Sequence, residues 1–236
     1  MVPIERLTAG AREHCLKSGH PLVTLSYAQS FDGSIAARPG QPLALSGPHA
    51  LRLTHQLRAA HAAILVGIGT VLADDPQLTV RLVDGKSPRP VVLDSRLRTP
   101  LDSRLMGHPL RPWIATLQGA DPVKKAQLEE RGARVFPLPA SEHGCVSLPA
   151  LLAVLAGQGL DSLMVEGGAQ VIGAFLSQNL ADLLVLTVAP VFVGGLRISM
   201  PGGSDFPKQV GSFPRLNEMG CEILGGDLVV WGRLAA

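Results

Sequence analysis

Hydrophobic and polar positions change period several times along the chain, and each change marks an element. In Leu22 to Ser30, Val23, Leu25 and Tyr27 alternate with Thr24, Ser26 and Ala28. That is the period of a strand, and Asp32-Gly33 turns the chain after it. Pro48 to Arg58 carries Ala50, Leu53 and Leu57 as a helical stripe, with Ser46 or Gly47 as cap and Pro48 in the first turn. The unbroken apolar run Ala62 to Val66 suits a strand buried on both faces. Further strand candidates are Pro90 to Leu93, Trp113 to Thr116, Ala133 to Phe136 and Ser162 to Val165. Between or after them lie the helix candidates Pro122 to Arg131, Leu148 to Leu155 and Gly168 to Gln178, the last burying Val171, Ile172, Phe175 and Leu176. Alternation of this kind predicts an α/β fold with a mostly parallel sheet.

The pattern differs at both ends. Leu183 to Val193 is strand-like, and Glu222 to Leu224 with Leu228 to Trp231 around Gly225-Gly226-Asp227 predicts a hairpin. Antiparallel strands should therefore finish the parallel sheet. Gly194 to Pro214, rich in Gly, Pro and Ser, reads as a long surface loop. At the start, Ile4, Leu7, Ala11, Cys15 and Leu16 keep helical spacing through Val2 to Ser18, although Gly10 interrupts them. Residues 1–20 are thus expected to be a helical arm on one domain spanning 21–236, with no repeat or linker inside it.

Composition narrows the function. Of 236 residues 46% are hydrophobic but 4% aromatic, so Val, Leu, Ile and Ala must fill the core. The net charge is +2 and the basic residues are scattered, unlike a nucleic-acid or membrane patch. Aromatic residues are too few for base-stacking platforms. The longest apolar candidate, Leu183 to Val193, is short and broken by Pro190, and the start lacks the pattern of a signal peptide. Cys15, Cys145 and Cys221 are odd in number and far apart, which fits neither a disulfide framework nor a zinc site. The expectation is a cytoplasmic protein.

Val165-Glu166-Gly167-Gly168 followed by an amphipathic helix is a strand, a glycine turn and a helix start. Such a turn lets backbone approach a ligand, and free amides at the helix start attract phosphate; a tight turn without ligand explains it equally. Gly67-Ile68-Gly69-Thr70-Val71-Leu72 also follows a buried strand, but Leu72 stands where a dinucleotide fingerprint needs its third glycine. Asp74-Asp75-Pro76 reads as a solvated turn in preference to a metal site, because no third acidic or His ligand is near in sequence. His49, His55 and His61 recur every six residues, which spreads them around a helix. No nucleophile elbow, P-loop or zinc-deaminase motif occurs. Hydride transfer from a nicotinamide needs none of these, since the cofactor carries the chemistry.

Taken together, seven segments resemble the pyrimidine reductase of riboflavin biosynthesis, the reductase domain often fused behind a deaminase. They are Ser30-Phe31-Asp32-Gly33, Leu57-Arg58-Ala59, Ile64 to Gly67, Gly69 to Pro76, Leu78 to Arg81, Val92 to Ser95 and Val165 to Gly168, and the likeness runs from about Pro21 to Arg233. The resemblance implies a dihydrofolate-reductase-like fold, usually dimeric. It also implies reduction by NADPH of a ribosylaminopyrimidine 5′-phosphate to the ribitylamine. By the same resemblance Ala28, Thr70, Asp74 and Ser95 line the NADPH site. Gly167, Gly168, Ala169, Gln170, Val171, Ile172, Gly173 and Ala174 hold its pyrophosphate. Arg58, Leu78 and Arg81 hold the substrate, the two arginines as phosphate contacts, and Glu166 faces the pyrimidine or sugar as the catalytic group.

Two positions depart from the bacterial pattern. Ser26 stands where a Lys is usual, and Pro42-Leu43-Ala44 replaces a Ser-x-Trp stretch. Leu45-Ser46-Gly47 resembles the archaeal branch, whose substrate still carries both amino groups. Two other readings remain: a pterin or folate reductase on the same fold, and a non-catalytic NADPH-binding paralogue.

Overall fold

The computed structural model describes residues 2–199 and 213–235. Its elements in order are α1 (Ile4–Thr8), α2 (Ala11–Ser18), β1 (Leu22–Ser30), β2 (Ser34–Ala36), α3 (Pro48–Ala60), β3 (Ala63–Gly67) and α4 (Ile68–Asp74). Then come β4 (Arg89–Leu93), a 3-10 turn (Arg104–Gly107), β5 (Trp113–Leu117), α5 (Pro122–Glu130), β6 (Arg134–Leu138), α6 (Leu148–Gly157) and β7 (Ser162–Gly167). The chain ends with α7 (Ala169–Ser177), β8 (Leu183–Ala189), β9 (Leu196–Arg197), β10 (Arg215–Leu224) and β11 (Asp227–Ala235).

Nine strands form one sheet in the order β10-β11-β8-β1-β7-β3-β4-β5-β6. From β8 to β6 neighbours are parallel, while β11 runs antiparallel to β8 and β10 antiparallel to β11. This is the mostly parallel α/β sheet with antiparallel terminal strands that the residue pattern and the resemblance both led us to expect.

Side chains alternate across a strand, so each strand feeds two cores. Ala63, Leu65, Leu163 and Val165 point to one face, where α6 and α7 bring Leu151, Leu152, Leu155, Ile172 and Phe175. Met164 and Val185 meet Leu53 and Leu57 of α3 on the other face, and Ile114 meets Leu128 of α5 there. Because β3 is covered on both sides, all five of its residues are buried, which is why its sequence shows no alternation.

Two expectations change. The N-terminal segment is two helices, because Gly10 takes a left-handed φ of 80° between them. Val2, Ile4 and Leu7 pack against the α3 core, so this segment lies on the domain itself. The stretch expected to be a loop from Gly194 contains β9, which pairs with β2; residues 200–212 lie outside the described part.

Helix α3 starts at Gly47 without a side-chain cap of its own. Its N-terminal amide is met instead from far along the chain, by the buried Asp227 carboxylate, which accepts from Gly47 N–H at 2.8 Å. The adjoining turn uses Gly225 and Gly226 at φ 65° and 105°, and a side chain at Gly225 would run into the His49 ring. The terminal hairpin thus seats the start of the helix that carries Arg58.

Candidate active site at the carboxyl ends of the strands

Strands β3 to β6 are added in one direction across the sheet, and β7 then returns to the other side of β3. The reversal opens a crevice between the carboxyl ends of β3 and β7, the place where open α/β sheets hold ligands. Both strands end in glycine there. A Cβ on Gly67 would stand 2.8 Å from Val171 Cγ2, and one on Gly168 would stand 3.4 Å from Thr70 Oγ1. Gly167 has φ 131°, and the Gly167–Gly168 peptide is cis. In α7 the first backbone hydrogen bond runs from Ile172 N–H to Gly168 C=O at 3.1 Å, and no side chain caps the helix. The amides of Ala169, Gln170 and Val171 therefore precede the helical ladder and face the turn. Ile172 and Gly173 are buried, so beyond the first turn the assigned stretch packs on the sheet.

Glu166 enters the crevice through an irregularity. Pairing of β3 with β7 steps from Leu65↔Val165 to Val66↔Gly167, passing over Glu166. A bulge of this kind re-aims a side chain. Its carboxylate meets Arg58 of α3 in a fork: Nε to Oε1 is 2.6 Å and Nη2 to Oε2 is 2.8 Å. The third guanidinium nitrogen, Nη1, donates to Thr79 C=O at 3.0 Å. With side-chain exposures of 11% and 15%, Arg58 and Glu166 are largely shielded, and the paired geometry is the strong form of this contact.

The structure thus brings Arg58, Glu166 and the Leu78–Arg81 segment together, but gives the two arginines different situations. Arg58 is held by Glu166 and Thr79. Arg81 is exposed, with Nη1 bonded to Thr79 Oγ1 at 2.9 Å. Partial burial and the nearby Arg58 and Arg104 charges lower the Arg81 pKa, while Glu166 opposes them. Leu78 takes a left-handed φ of 53° and its side chain is 1% exposed, packed among Ile64, Val66 and Val92. What Leu78 offers a ligand is backbone.

His55 belongs to this group and was read from the sequence only as one of three spaced histidines. Its ring is buried, and Nδ1 accepts the Arg81 backbone N–H at 2.9 Å. Burial first, then the Arg58 and Arg81 charges, push its pKa down to about 4, so the ring is neutral at pH 7. A His three residues before Arg58 on a helix shares its face, which is the signal that could have found it. His61 lies beyond α3 and bonds to Leu57 C=O and Thr24 Oγ1 at 2.7 and 2.8 Å. The three histidines are therefore not simply spread around one helix.

On the other side of the crevice, Thr70 adjoins Gly168, and Asp74 is exposed at the end of α4. Asp75 is not the solvated turn residue expected. At φ 39° it turns back, and Oδ1 accepts from Ser103 Oγ and Arg104 N–H, both at 2.9 Å. Buried Asp94 holds the loop after β4 by accepting from Thr99 N–H and Oγ1, both at 2.7 Å. Beside that loop Ser95 and Arg96, with Gln118 and Asp121, line an open cavity of about 300 Å³. Strand β1 overhangs the crevice: its pairing with β7 ends at Leu25, yet with β8 it continues to Ser30, leaving Ala28 in the overhang. Asp32, read only as a turn residue, accepts from Ser30, Ser34, Val193 and Gly194 and ties this overhang to the segment before β9. Those hydrogen bonds hold its carboxyl well below the usual carboxylate range.

Among the described residues no group of three or more His, Cys, Asp or Glu could hold a metal, and no helix is long and apolar enough to cross a membrane.

A glycine-ended strand pair with a charged side-chain network beside it defines the class: an open α/β domain with its candidate site at the carboxyl edge of the sheet, where sheets of this kind hold ligands. The RibD C-terminal domain family matches residues 21–230, and the chain belongs to that family. It is 40% identical over 185 residues to the 2,5-diamino-6-ribosylamino-4(3H)-pyrimidinone 5′-phosphate reductase of Archaeoglobus fulgidus, covering 74% of this chain and 83% of that protein. With the riboflavin biosynthesis protein RibD of Bacillus amyloliquefaciens it shares 39% identity over 196 residues, 82% of this chain and 52% of that one. The chain therefore spans about half the length of the Bacillus relative. Among solved structures it is similar to Acinetobacter baumannii RibD, with a TM-score of 0.82 and 25% identity, covering 98% of this chain and 63% of that one. It is also similar to the Saccharomyces riboflavin biosynthesis reductase Rib7, with a TM-score of 0.76 and 27% identity over 98% and 99% of the two chains.

Proposed function

We propose that the chain is a cytoplasmic, homodimeric NADPH-dependent reductase that converts a ribosylaminopyrimidine 5′-phosphate to its ribitylamino form in riboflavin biosynthesis. In this reading residues 21–236 are the reductase domain and residues 1–20 an arm packed on it. Relatives covered over most of their length carry the name of this reductase, which favours it over a pterin or folate reductase. The observation that carries the reading is the Arg58–Glu166 fork with exposed Arg81 beside it, next to strand ends whose glycines let β3, α7 and Thr70 approach closely. An intact network of this kind also speaks against a non-catalytic paralogue.

In this reading the crevice takes a dinucleotide. The turn at Gly167-Gly168 and the amides of Ala169, Gln170 and Val171 suit a pyrophosphate, an anion contact worth about 0.3–1 kcal/mol when exposed and about 2 when partly buried. The cavity beside Ser95 and Arg96 suits the adenosine end, with Arg96 placed for a 2′-phosphate. Ala28, Thr70 and Asp74 flank the part of the crevice between these sites and Glu166. Bound NADPH would supply the hydride.

The chain's own residues supply placement and charge. Arg81 holds the 5′-phosphate, because a guanidinium offers paired, charge-assisted bonds to phosphate oxygens. Arg58 fixes Glu166, and the fixed carboxylate stabilises cationic character on the substrate as its ribosylamine opens to an imine. Leu78 contributes backbone. The test is loss of NADPH absorbance with the diamino and the deaminated ribosylaminopyrimidine phosphates, with dihydrofolate as a third substrate. Turnover of either pyrimidine supports the reading; turnover of dihydrofolate alone overturns it.

A further inference from the structure

Helix α3 grips the segment before β4 at three points, spaced three residues apart along the helix, and the first is Arg52 Nη1 on Leu82 C=O at 2.9 Å. Arg58 Nη1 holds Thr79 C=O at 3.0 Å, and His55 Nδ1 holds Arg81 N–H at 2.9 Å. The grip by His55 is the unusual one. His55 is 1% exposed, yet its acceptor is used on the backbone of a residue whose own side chain is exposed. An Nδ1 that accepts a hydrogen bond carries no proton, so the neutral ring bears its hydrogen on Nε2. The neighbours of Arg81 have their own holds: Val80 N–H reaches Ser87 Oγ at 3.1 Å, Leu82 C=O accepts from Arg52 at 2.9 Å, and Leu78 anchors the start of the segment in the core, so the bond to the Arg81 backbone itself is the one to His55. Without the imidazole, Arg81 would keep its charge and lose the anchor on its own backbone N–H.

We infer that His55 is a positioning residue for substrate: by accepting the Arg81 backbone N–H it sets the Arg81 guanidinium where the substrate phosphate binds. The inference rests on the proposed phosphate role of Arg81. It assigns to α3 two separate tasks, steadying Glu166 through Arg58 and aiming Arg81 through His55. Binding energy is then realised only when the guanidinium is held within a narrow range of positions, as substrate-orienting groups require.

The experiment uses His55→Leu, which removes the acceptor at similar volume, and His55→Asn, whose Oδ1 occupies nearly the place of Nδ1 and can accept the same N–H. KM and kcat are measured for the phosphorylated substrate and for its dephosphorylated counterpart, alongside NADPH affinity by fluorescence titration. His55→Leu should raise KM for the phosphorylated substrate about three- to tenfold, the effect of one neutral hydrogen bond. KM for the dephosphorylated substrate and NADPH affinity should stay at parental values, and His55→Asn should restore most of the loss. A general packing defect would move all three measurements together and would not be rescued by Asn, and that result overturns the inference.

Two further variants separate this inference from the reading beneath it. Combining His55→Leu with Arg81→Ala should add nothing to Arg81→Ala alone, because the histidine acts through the arginine. Additive losses overturn the positioning role. If Arg81→Ala raises KM but His55→Leu does not, the positioning role fails and the phosphate site stands. If Arg81→Ala itself leaves KM unchanged, the phosphate site fails and takes the positioning role with it. Should His55→Leu not fold, His55→Asn at parental KM with an Arg81 amide still protected from hydrogen exchange supports the contact. An unprotected amide at parental KM overturns it.

Discussion

On the α3 flank of the crevice Glu166, Arg58, Thr79, Arg81 and His55 are joined by five hydrogen bonds, each involving a side chain. The α7 flank is built otherwise. There the chain offers a glycine turn, amides before the helical ladder and an open cavity, and its polar side chains mostly serve their own loops, as Asp94 does for Thr99. The contrast follows from what each flank would bind. A sugar phosphate that changes charge during reaction needs groups fixed before it arrives, so that no reorganisation is required in the transition state. A long dinucleotide can be held by many weak backbone contacts that need room more than rigidity. Substitutions should therefore cost much on the first flank and little on the second.

Removing Glu166 should produce the largest effect. Glu166→Ala leaves the Arg58 guanidinium shielded without its carboxylate, a loss of about 2–3 kcal/mol in stability, discounted from the fully buried case for the remaining exposure. Glu166→Gln keeps the shape and one acceptor while removing the charge. Turnover should then fall on the order of 100-fold, with KM changing less, as expected of a group acting mainly on the transition state. Steady-state kinetics and thermal melts of both variants check this. Parental turnover in Glu166→Gln would reduce the fork to a structural brace and remove the contrast between the flanks.

Arg81→Ala comes next. Arg81 is exposed and braces little, so folding should be unaffected, but the lost charged hydrogen bond should weaken substrate binding by about 1.5–3 kcal/mol. NADPH affinity should be nearly unchanged, because that ligand is assigned to the opposite flank. A variant with equal losses for both ligands would show that the two flanks are one site.

The flanks also differed in what the sequence could disclose. The α7 flank was legible early: Val165-Glu166-Gly167-Gly168 ahead of an amphipathic helix announces a strand, a turn and a helix start, all local features. The bounds of strand β1 agree with the pattern, since the alternation of Val23, Leu25 and Tyr27 with Thr24, Ser26 and Ala28 before the Asp32-Gly33 turn is also local. What the α3 flank does depends on contacts across 108 residues, from Arg58 to Glu166, and on a register shift that no residue type signals. For the same reason Asp227 at the start of α3 and Asp75 beneath the 3-10 turn could not be foreseen. Each looks like an ordinary turn acid until the fold brings it to a distant amide. The pair β2–β9 was missed because strands of three and two residues carry no period.

A smaller effect is expected at Ser95. If Ser95 and Arg96 receive a 2′-phosphate at the edge of the open cavity, Ser95→Asp places a like charge there. At contact distance in a solvent-filled site this repulsion is about 1 kcal/mol, so NADPH affinity should fall about fivefold while NADH affinity stays the same. Paired titrations with the two cofactors decide it. Equal affinity for both cofactors in the parent protein would remove the 2′-phosphate from this cavity.

The smallest expected effect is none, and it falls on the adjoining carboxylates at the end of α4. Asp74 and Asp75 stand together at the end of α4, as a cation site requires, but their side chains are differently disposed. Oδ1 of Asp75 already accepts two hydrogen bonds, from Ser103 and Arg104, which anchor the 3-10 turn. Asp74 stands exposed, and no third His, Cys, Asp or Glu joins the pair among the described residues. A divalent ion would find Oδ2 of Asp75 and the exposed Asp74 carboxylate and would have to complete its shell with water, a poor site for a hard cation that prefers several fixed oxygens. NADPH oxidation with the phosphorylated pyrimidine should therefore proceed at the same rate in EDTA, in metal-free buffer and with added Mg²⁺ or Zn²⁺. Loss of turnover in EDTA that Mg²⁺ restores would transfer Asp74 from the cofactor flank to a metal, and with it the assumption that this flank works by backbone and space.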